Sequence, residues 1–383
     1  MARRDVPGGM ARRATEALAV AAIRVLHCIH SLCGGGAERQ LGMLTAASQA
    51  HGMAAAIFCV DDTGSNVDRA DVPIYKSARR NRYDMAIFGA LDRAVDDFKP
   101  QVLHAWLPAS ITIPAMLVAA RRSIPCVYSY RNAMSFHRPL TVPEYLIAML
   151  TAARIIANNS ITASTLPYRW LFTLKKGVHI DNAVNIEPQW IKQPCTQRSG
   201  TWNVLFAGRL TGQKNWQCAL RAMTLAAGRS GLRLTICGDG EQRSDMLATI
   251  RELGLDDCVA WEGYRHDIYR LMSGADMLVV PSWWEGMPNV LLESLAIGLP
   301  CAVSDIPAHR RIIGATRAAL LFDPADPGAL AHCIERLRGD PALVQRLAIE
   351  GRKLSEAYSA DRMAQSHHDV YAGLACADAA VAI

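Results

Sequence analysis

Long hydrophobic runs are missing from this sequence. Ile113 to Ala120 and Leu146 to Leu150 are among the longest, and they stop well short of the ~20 apolar residues a bilayer-spanning helix needs. A membrane-spanning helix is therefore not expected. Paired cysteines are missing too. The eleven cysteines, among them Cys28, Cys59, Cys126, Cys218, Cys237 and Cys301, mostly stand singly in apolar stretches without a CxxC pair. They read as small buried side chains in a reducing compartment, which suits a cytoplasmic chain and argues against a disulfide or zinc framework. No basic run is interleaved with aromatics, so a nucleic-acid partner is not expected. No strand is followed by a complete GxGxxG, since Gly34, Gly36 and Arg39 fail to make one, which counts against a dinucleotide-dependent oxidoreductase.

What the chain does have is bulk and alternation. Its 383 residues, 51% of them apolar, suffice for two domains, each with a core. The formal charge of +6, with clusters at Arg79, Arg80 and Arg82 and at Arg121 and Arg122, suits anionic substrates or an acidic lipid surface. Short β-branched apolar runs alternate with segments of helical periodicity, the pattern of buried parallel strands with crossover helices. The class is α/β. In the first half strands are expected at Arg24 to Ile29, Ala55 to Val60, Val102 to Trp106, Cys126 to Tyr130 and Arg154 to Ala157. A second series follows at Asn203 to Ala207, Leu232 to Cys237, Cys258 to Trp261, Asp276 to Val280 and Cys301 to Val303, and the chain is helical from Pro327 to near its end.

The expected division is a disordered basic tail over 1–21, a first domain over 22–187, a linker over 188–200, a second domain over 201–358 and a helix over 359–383 that packs back on the first domain. The tail superficially resembles a signal peptide, with Arg3, Arg4, Arg12 and Arg13 before Ala17 to Ile23. That reading is set aside because its apolar run continues into the first strand. In open sheets of this kind ligands sit beyond the carboxyl ends of the strands, so chemistry is sought in those loops.

The strongest local signal is Ser282-Trp283-Trp284-Glu285-Gly286-Met287-Pro288-Asn289-Val290-Leu291-Leu292-Glu293, which follows a strand and opens a helix. Pro288 suits a first helical turn, and the backbone N–H groups of Asn289 and Val290 should then face a phosphate. Glu285 in the loop and Glu293 in the helix can hold hydroxyls at the two ends of one sugar nucleotide. The plain alternative has Glu285 capping the helix and Glu293 in a surface ion pair. In Ala207-Gly208-Arg209-Leu210 and Gln213-Lys214-Asn215, Arg209 offers a planar fork and Lys214 a movable point charge, a combination suited to a diphosphate.

Strand, Glu-Gly-Met-Pro loop, helix and second Glu resemble the signature of the retaining GT-B glycosyltransferases of family 4. The Gly208-Arg209 and Lys214-Asn215 pairs, Cys237-Gly238-Asp239-Gly240, Glu262-Gly263-Tyr264-Arg265 and the loop Gly34-Gly35-Gly36-Ala37-Glu38-Arg39 agree with it, over roughly Arg24 to Tyr358. The resemblance implies two doubly wound Rossmann-like domains facing across a cleft, and a nucleoside-diphosphate sugar as donor. It implies a glycan or lipid-linked acceptor, no metal and no other cofactor. Arg209 and Lys214 would grip the donor diphosphate, and Glu262, Gly263 and Tyr264 would neighbour the base. Gly286, Met287, Pro288, Asn289, Val290 and Glu293 would line the donor site, with Gly35 and Gly36 approaching from the other side. Glu285 would attend the transferred sugar, and His104, at the end of its strand, would face the cleft.

Two positions depart from the family pattern. Arg131, followed by Asn132, stands where many members carry a histidine; it can contact the donor phosphate, the sugar or the acceptor but cannot act as a base. This variant resembles enzymes of surface-polysaccharide assembly that use UDP-sugars, which favours uridine. Ala183 stands where the family has a glycine after Asn182. A lipid-linked acceptor would suit peripheral attachment to the inner face of the membrane, through Tyr145, Leu146, Ile147, Met149 and Leu150 with Arg121, Arg122 and Arg138, the plainer alternative being that these apolar residues pack in the core. Rival readings are a sugar-nucleotide-binding protein without turnover, and a phosphorylase of the same fold carrying pyridoxal phosphate.

Overall fold

The computed structural model describes residues 22–32, 35–61, 72–77, 84–107, 111–131, 142–158, 169–174, 177–192, 200–226 and 231–381. The basic tail, Gly34, Asn132, Arg138 and most of the expected linker lie outside that set. Two parallel sheets carry the chain. The first has seven strands, ordered β3-β2-β1-β4-β5-β6-β7, from β1 (Ile23–Ser31), β2 (Met53–Asp61), β3 (Ile74–Lys76), β4 (Val102–Trp106), β5 (Cys126–Tyr130), β6 (Arg154–Ala157) and β7 (Val178–His179). The second has six, ordered β10-β9-β8-β11-β12-β13, from β8 (Trp202–Ala207), β9 (Leu232–Cys237), β10 (Val259–Gly263), β11 (Met277–Val280), β12 (Cys301–Ser304) and β13 (Leu320–Phe322). Each sheet starts in its middle, winds outward, then returns to the other side. The strand order therefore reverses between β1 and β4 and between β8 and β11, and at such points a crevice opens beyond the strand ends.

The strand cores are continuous apolar runs because helices cover both faces. β4, β5 and β12 are buried at every residue. In the first domain α1 (Gly36–Ser48), α2 (Ala86–Phe98), α3 (Thr112–Arg121), α4 (Val142–Thr151) and α5 (Arg169–Leu174) link the strands, and in the second α6 (Trp216–Leu225), α7 (Arg243–Glu252), α8 (Ile268–Gly274), α9 (Asn289–Ile297) and α10 (Pro307–Ile313) do so. They are followed by α11 (Pro327–Gly339) and α12 (Pro341–Ser355). Asp326 and Asp340 cap these last two helices with their carboxylates, each just before a proline at the first helical position. The final helix, α13 (Ala360–Val381), shares a core with β1: Met363, Ala364, Tyr371 and Leu374 pack with Val25, Ile29 and Trp106. No helix among the described residues is long and apolar enough to cross a membrane.

The expected apolar face on α4 is split. Ile147 and Leu150 are exposed, but Met149 is fully buried, and the side chains of Tyr145 and Leu146 lie outside the described set. Arg121 and Arg122 bond to Asp92 and Asp96 on α2.

Candidate active site

β8 and β11 are neighbours at the reversal of the second sheet, so the loops that follow them lie side by side. The loop after β8 is a short turn in which Asn215 adopts a left-handed conformation, φ 51°, and sends its amide to the carbonyls of Pro281 and Pro324 at 3.0 and 2.9 Å. Gln213 bonds both ways with the neighbouring loop: its side-chain amide donates to Trp284 O at 2.8 Å, and its backbone carbonyl accepts from Trp283 N at 2.9 Å. These bonds bring Lys214 Nζ to 2.6 Å from Glu285 Oε1, which also accepts from Ser282 Oγ at 2.7 Å. Glu285 is only 7% exposed. It does not cap α9; its carboxylate is held by a cation and a hydroxyl at the carboxyl end of the sheet. Arg209 is exposed and makes no ion pair among the described residues, yet its charge reaches Glu38 of the first domain and opposes the upward push that burial gives that carboxyl.

Pro288 precedes α9 as its N-cap instead of opening it, so Asn289 and Val290 supply the first-turn amides. The first domain closes over this helix. The Asn289 amide donates to Gly36 O at 3.0 Å, and Asn182 donates to Asn289 Oδ1 at 2.7 Å and to Met287 O at 3.0 Å. Gly286 lies against Arg131; a Cβ there would sit 2.6 Å from the Arg131 carbonyl oxygen, so only glycine permits the approach. Gly238 is required for a similar reason inside the second domain. Its φ is +137°, and a Cβ would fall 1.9 Å from Gly208 O, which ties the loop after β9 to the one carrying Arg209. Beyond it, Tyr264 is 51% exposed at the end of β10 and Glu262 pairs with Arg265 at 3.2 Å. Gly263 has a left-handed φ of +66°. Gly35 is the N-cap of α1.

Glu293 is not in a surface pair. It is 3% exposed and meets Arg39 of α1, across the domain boundary, at 2.8 Å, with Tyr269 also bonded to it. Burial raises its carboxyl above the ordinary range, against the pull of Arg39 and the Tyr269 hydroxyl. Among the described residues Glu293 Oε2 and Arg39 Nε are buried without partners. The glycine missing after Asn182 has no consequence for the turn: Ala183 is not in a left-handed conformation, and its N–H and C=O both bond Gln40.

His104 requires correction. It does not face the cleft; it is 0% exposed beneath α13, with Nδ1 2.7 Å from the Tyr371 hydroxyl and Nε2 2.7 Å from Ser129 Oγ. The reason is strand parity combined with a helix that arrives from the far end of the chain. Arg131 does stand beside the Glu285 loop through its backbone, while its guanidinium lies 4.2 Å over the Trp106 ring and donates to Asn182 Oδ1 at 2.9 Å. No carboxylate pairs with it among the described residues, and burial lowers its pKa to about 10. Sequence reasoning missed Arg39, Asn182, Ser282, Ser304 and His309 as parts of this assembly. For Arg39, Asn182 and Ser282 the motifs around them were a signal; for Ser304 and His309 there was none.

Two family models match, one for each sheet. Glycosyltransferase Family 4 matches residues 34–188, and Glycosyl transferases group 1 matches residues 201–340. The chain belongs to the GT-B glycosyltransferases of family 4, group 1. Among its relatives, EpsD of Bacillus subtilis strain 168, named as a glycosyltransferase, is 29% identical over 79% of this chain and 84% of its own. The lipopolysaccharide core biosynthesis glycosyltransferase LpsD of Rhizobium meliloti is 25% identical over 73% of this chain and 78% of its own. Of solved structures, Anabaena HepE in complex with UDP and glucose superposes with a TM-score of 0.76 at 15% identity, covering 92% of this chain and all of that one. Sucrose-phosphate synthase from Thermosynechococcus elongatus gives 0.75 at 18%, with 93% and 100% covered. These likenesses establish the GT-B fold of this glycosyltransferase, with its candidate residues on loops at the carboxyl ends of both sheets.

Proposed function

We propose that this glycosyltransferase moves a hexose from a UDP-sugar to a glycan or lipid-linked acceptor in surface-polysaccharide or glycolipid assembly, with retention of anomeric configuration and without a metal. The observation that carries the reading is the pairing of half-buried Lys214 with buried Glu285 at the reversal point of the second sheet, faced by loops of the first. The polysaccharide and lipopolysaccharide names of its relatives and the UDP-sugar complexes of HepE support the pathway and the base.

In the reaction the bond from the anomeric carbon to the diphosphate oxygen breaks, and a bond to the acceptor hydroxyl oxygen forms on the same face. The hydroxyl proton passes to the departing diphosphate. Negative charge accumulates on that leaving group, and Lys214 and Arg209 supply the countercharge where a metal otherwise would. Glu285 holds a hydroxyl of the sugar and favours the positive charge that develops at its ring. Glu293 takes the ribose hydroxyls in place of Arg39, while Glu262 and Tyr264 flank the base. Arg131 serves an anionic group of the substrates, since its buried guanidinium has no carboxylate of its own.

The test is sugar transfer or slow hydrolysis across UDP-, GDP- and ADP-sugars, with NAD as control, in EDTA and without. Turnover of a UDP-sugar that chelation leaves unchanged is expected, and Lys214→Ala should lower kcat about a hundredfold. Response to NAD alone, or Lys214→Ala kinetics like those of the parent, would overturn the assignment.

A further inference from the structure

His309 lies outside every motif discussed so far. β12 ends at Ser304, and Pro307 opens α10 with a ring that suits the first helical position, which places His309 two residues into the helix and turns its ring back under the sheet end. The side chain is fully buried. Its Nδ1 is 2.7 Å from the Ser304 carbonyl oxygen and 3.3 Å from Ser304 Oγ. A carbonyl has no proton to give, so Nδ1 carries it and Nε2 is the bare acceptor. Ser304 Oγ donates onward to Ser282 O at 2.6 Å. Ser282 Oγ donates to Glu285 Oε1 at 2.7 Å, the oxygen that Lys214 also holds.

The loop from Ser282 to Pro288 belongs to no helix or strand, so side-chain anchors set the height and rotamer of Glu285. On one side they come from Gln213 and Lys214. On the other they come from this chain of bonds, which starts at His309. Burial keeps the imidazole neutral, lowering its pKa, while Glu285 and Asp305 pull it up and Lys214 pushes it down. A neutral ring donating through Nδ1 is a fixed strut, not a proton carrier.

We propose that His309 is a positioning residue for the transfer step: through Ser304 and Ser282 it orients the Glu285 carboxylate on the sugar. This rests on the reading that Glu285 attends the transferred sugar. The amide nitrogen of asparagine can stand where Nδ1 stands, whereas that of glutamine stands near Nε2. H309Q should therefore lose the strut and H309N keep it.

The experiment measures kcat with a UDP-sugar, UDP affinity by calorimetry and melting temperature for H309N, H309Q, S304A, S282A and E285Q. One hydrogen bond being about 1 kcal/mol, H309Q and S282A should each lower kcat about fivefold to tenfold, with UDP affinity within about twofold because UDP lacks the transferred sugar that Glu285 orients. H309N should stay within about threefold of the parent, and H309Q with S304A should be no slower than the worse single variant, as expected of one coupled unit. Equal losses in H309N and H309Q, a fall in UDP affinity that tracks kcat, or multiplicative effects of H309Q and S304A would overturn the proposal. If H309Q does not fold, S282A and S304A carry the same test. Parental kcat in E285Q would sink the underlying role of Glu285; a slow E285Q beside a fast H309Q and a fast S282A would sink the strut alone.

Discussion

At the scale of single residues, the most informative is Glu293. Its carboxylate is buried in an ion pair with Arg39, whose side chain is 36% exposed, and Oε2 is left without a partner among the described residues. Removing one member of a buried pair strands the other, but solvent screens this one on the arginine side, so the cost falls between the surface and buried cases, roughly 1–3 kcal/mol. Glu293→Ala should thus weaken UDP binding and lower stability together. Glu293→Gln keeps the shape and separates the two, and calorimetry with UDP beside a denaturant midpoint checks both. Unaltered UDP affinity in both variants would remove Glu293 from the donor site. The two glutamates were legible as a pair from their spacing, whereas the Arg39 partner was not. Arg39 belongs to another domain, and spacing along the chain says nothing about contacts made across a cleft.

At the scale of elements, α13 decides the environment of three strand residues. With His367 and Tyr371 it closes over His27 on β1 and His104 and Trp106 on β4, making a buried cluster of rings. Burial lowers His27 and His367 to about 3, and His104 falls well below its ordinary value. The sign follows: these rings stay neutral in the fold, while the unfolded chain takes up protons below about pH 6.5. Stability is therefore full above that pH and falls as the pH drops toward 3, each ring adding up to about 1.4 kcal/mol per pH unit to the slope. Urea midpoints between pH 8 and 5 test this, with His367→Leu as comparison, since that ring gives up only the bond from Nδ1 to Met363 O and its Nε2 has no partner among the described residues. The variant should show a shallower acid loss than the parent; parallel slopes would show that the cluster does not carry it.

Strands were read to the residue at β4, β5, β6 and β9; β4 and β5 are buried throughout, as parallel strands covered on both faces should be, whereas β9 alternates and exposes Arg233. The unforeseen β3, β7 and β13 have two or three residues each, too few to show any period. β3, β7 and β13 all lie at sheet edges, where less burial is demanded of the sequence.

At the scale of the whole molecule, the two sheets are joined by polar contacts around α9: Gly36 with Asn289, Arg39 with Glu293, Asn182 with Met287, and Asp181 with Arg311 at 2.9 Å. Gly36, Met287, Asn289 and Glu293, proposed to line the donor site, thus also help to hold the domains together. A ligand at a hundred times its Kd stabilises by about 2.7 kcal/mol, and here it should act on both sheets. Calorimetric melting with UDP should show one transition moved upward as a unit. Two transitions, of which UDP moves only one, would show that the domains melt independently of the site.

Periodicity, strand spacing and the Glu285 to Glu293 motif by themselves determined the α/β class, two doubly wound halves and the loops in which the site had to lie. These follow from local rules: burial on both faces demands apolar strands, and a reversal of strand order opens a crevice at their ends. Tertiary structure alone decided that His104 is enclosed, that Arg39 meets Glu293 and that His309 stands behind Glu285. Those outcomes depend on which surfaces meet when distant segments pack, and a one-dimensional pattern records a side chain's own preference for burial but not the neighbour it is buried against.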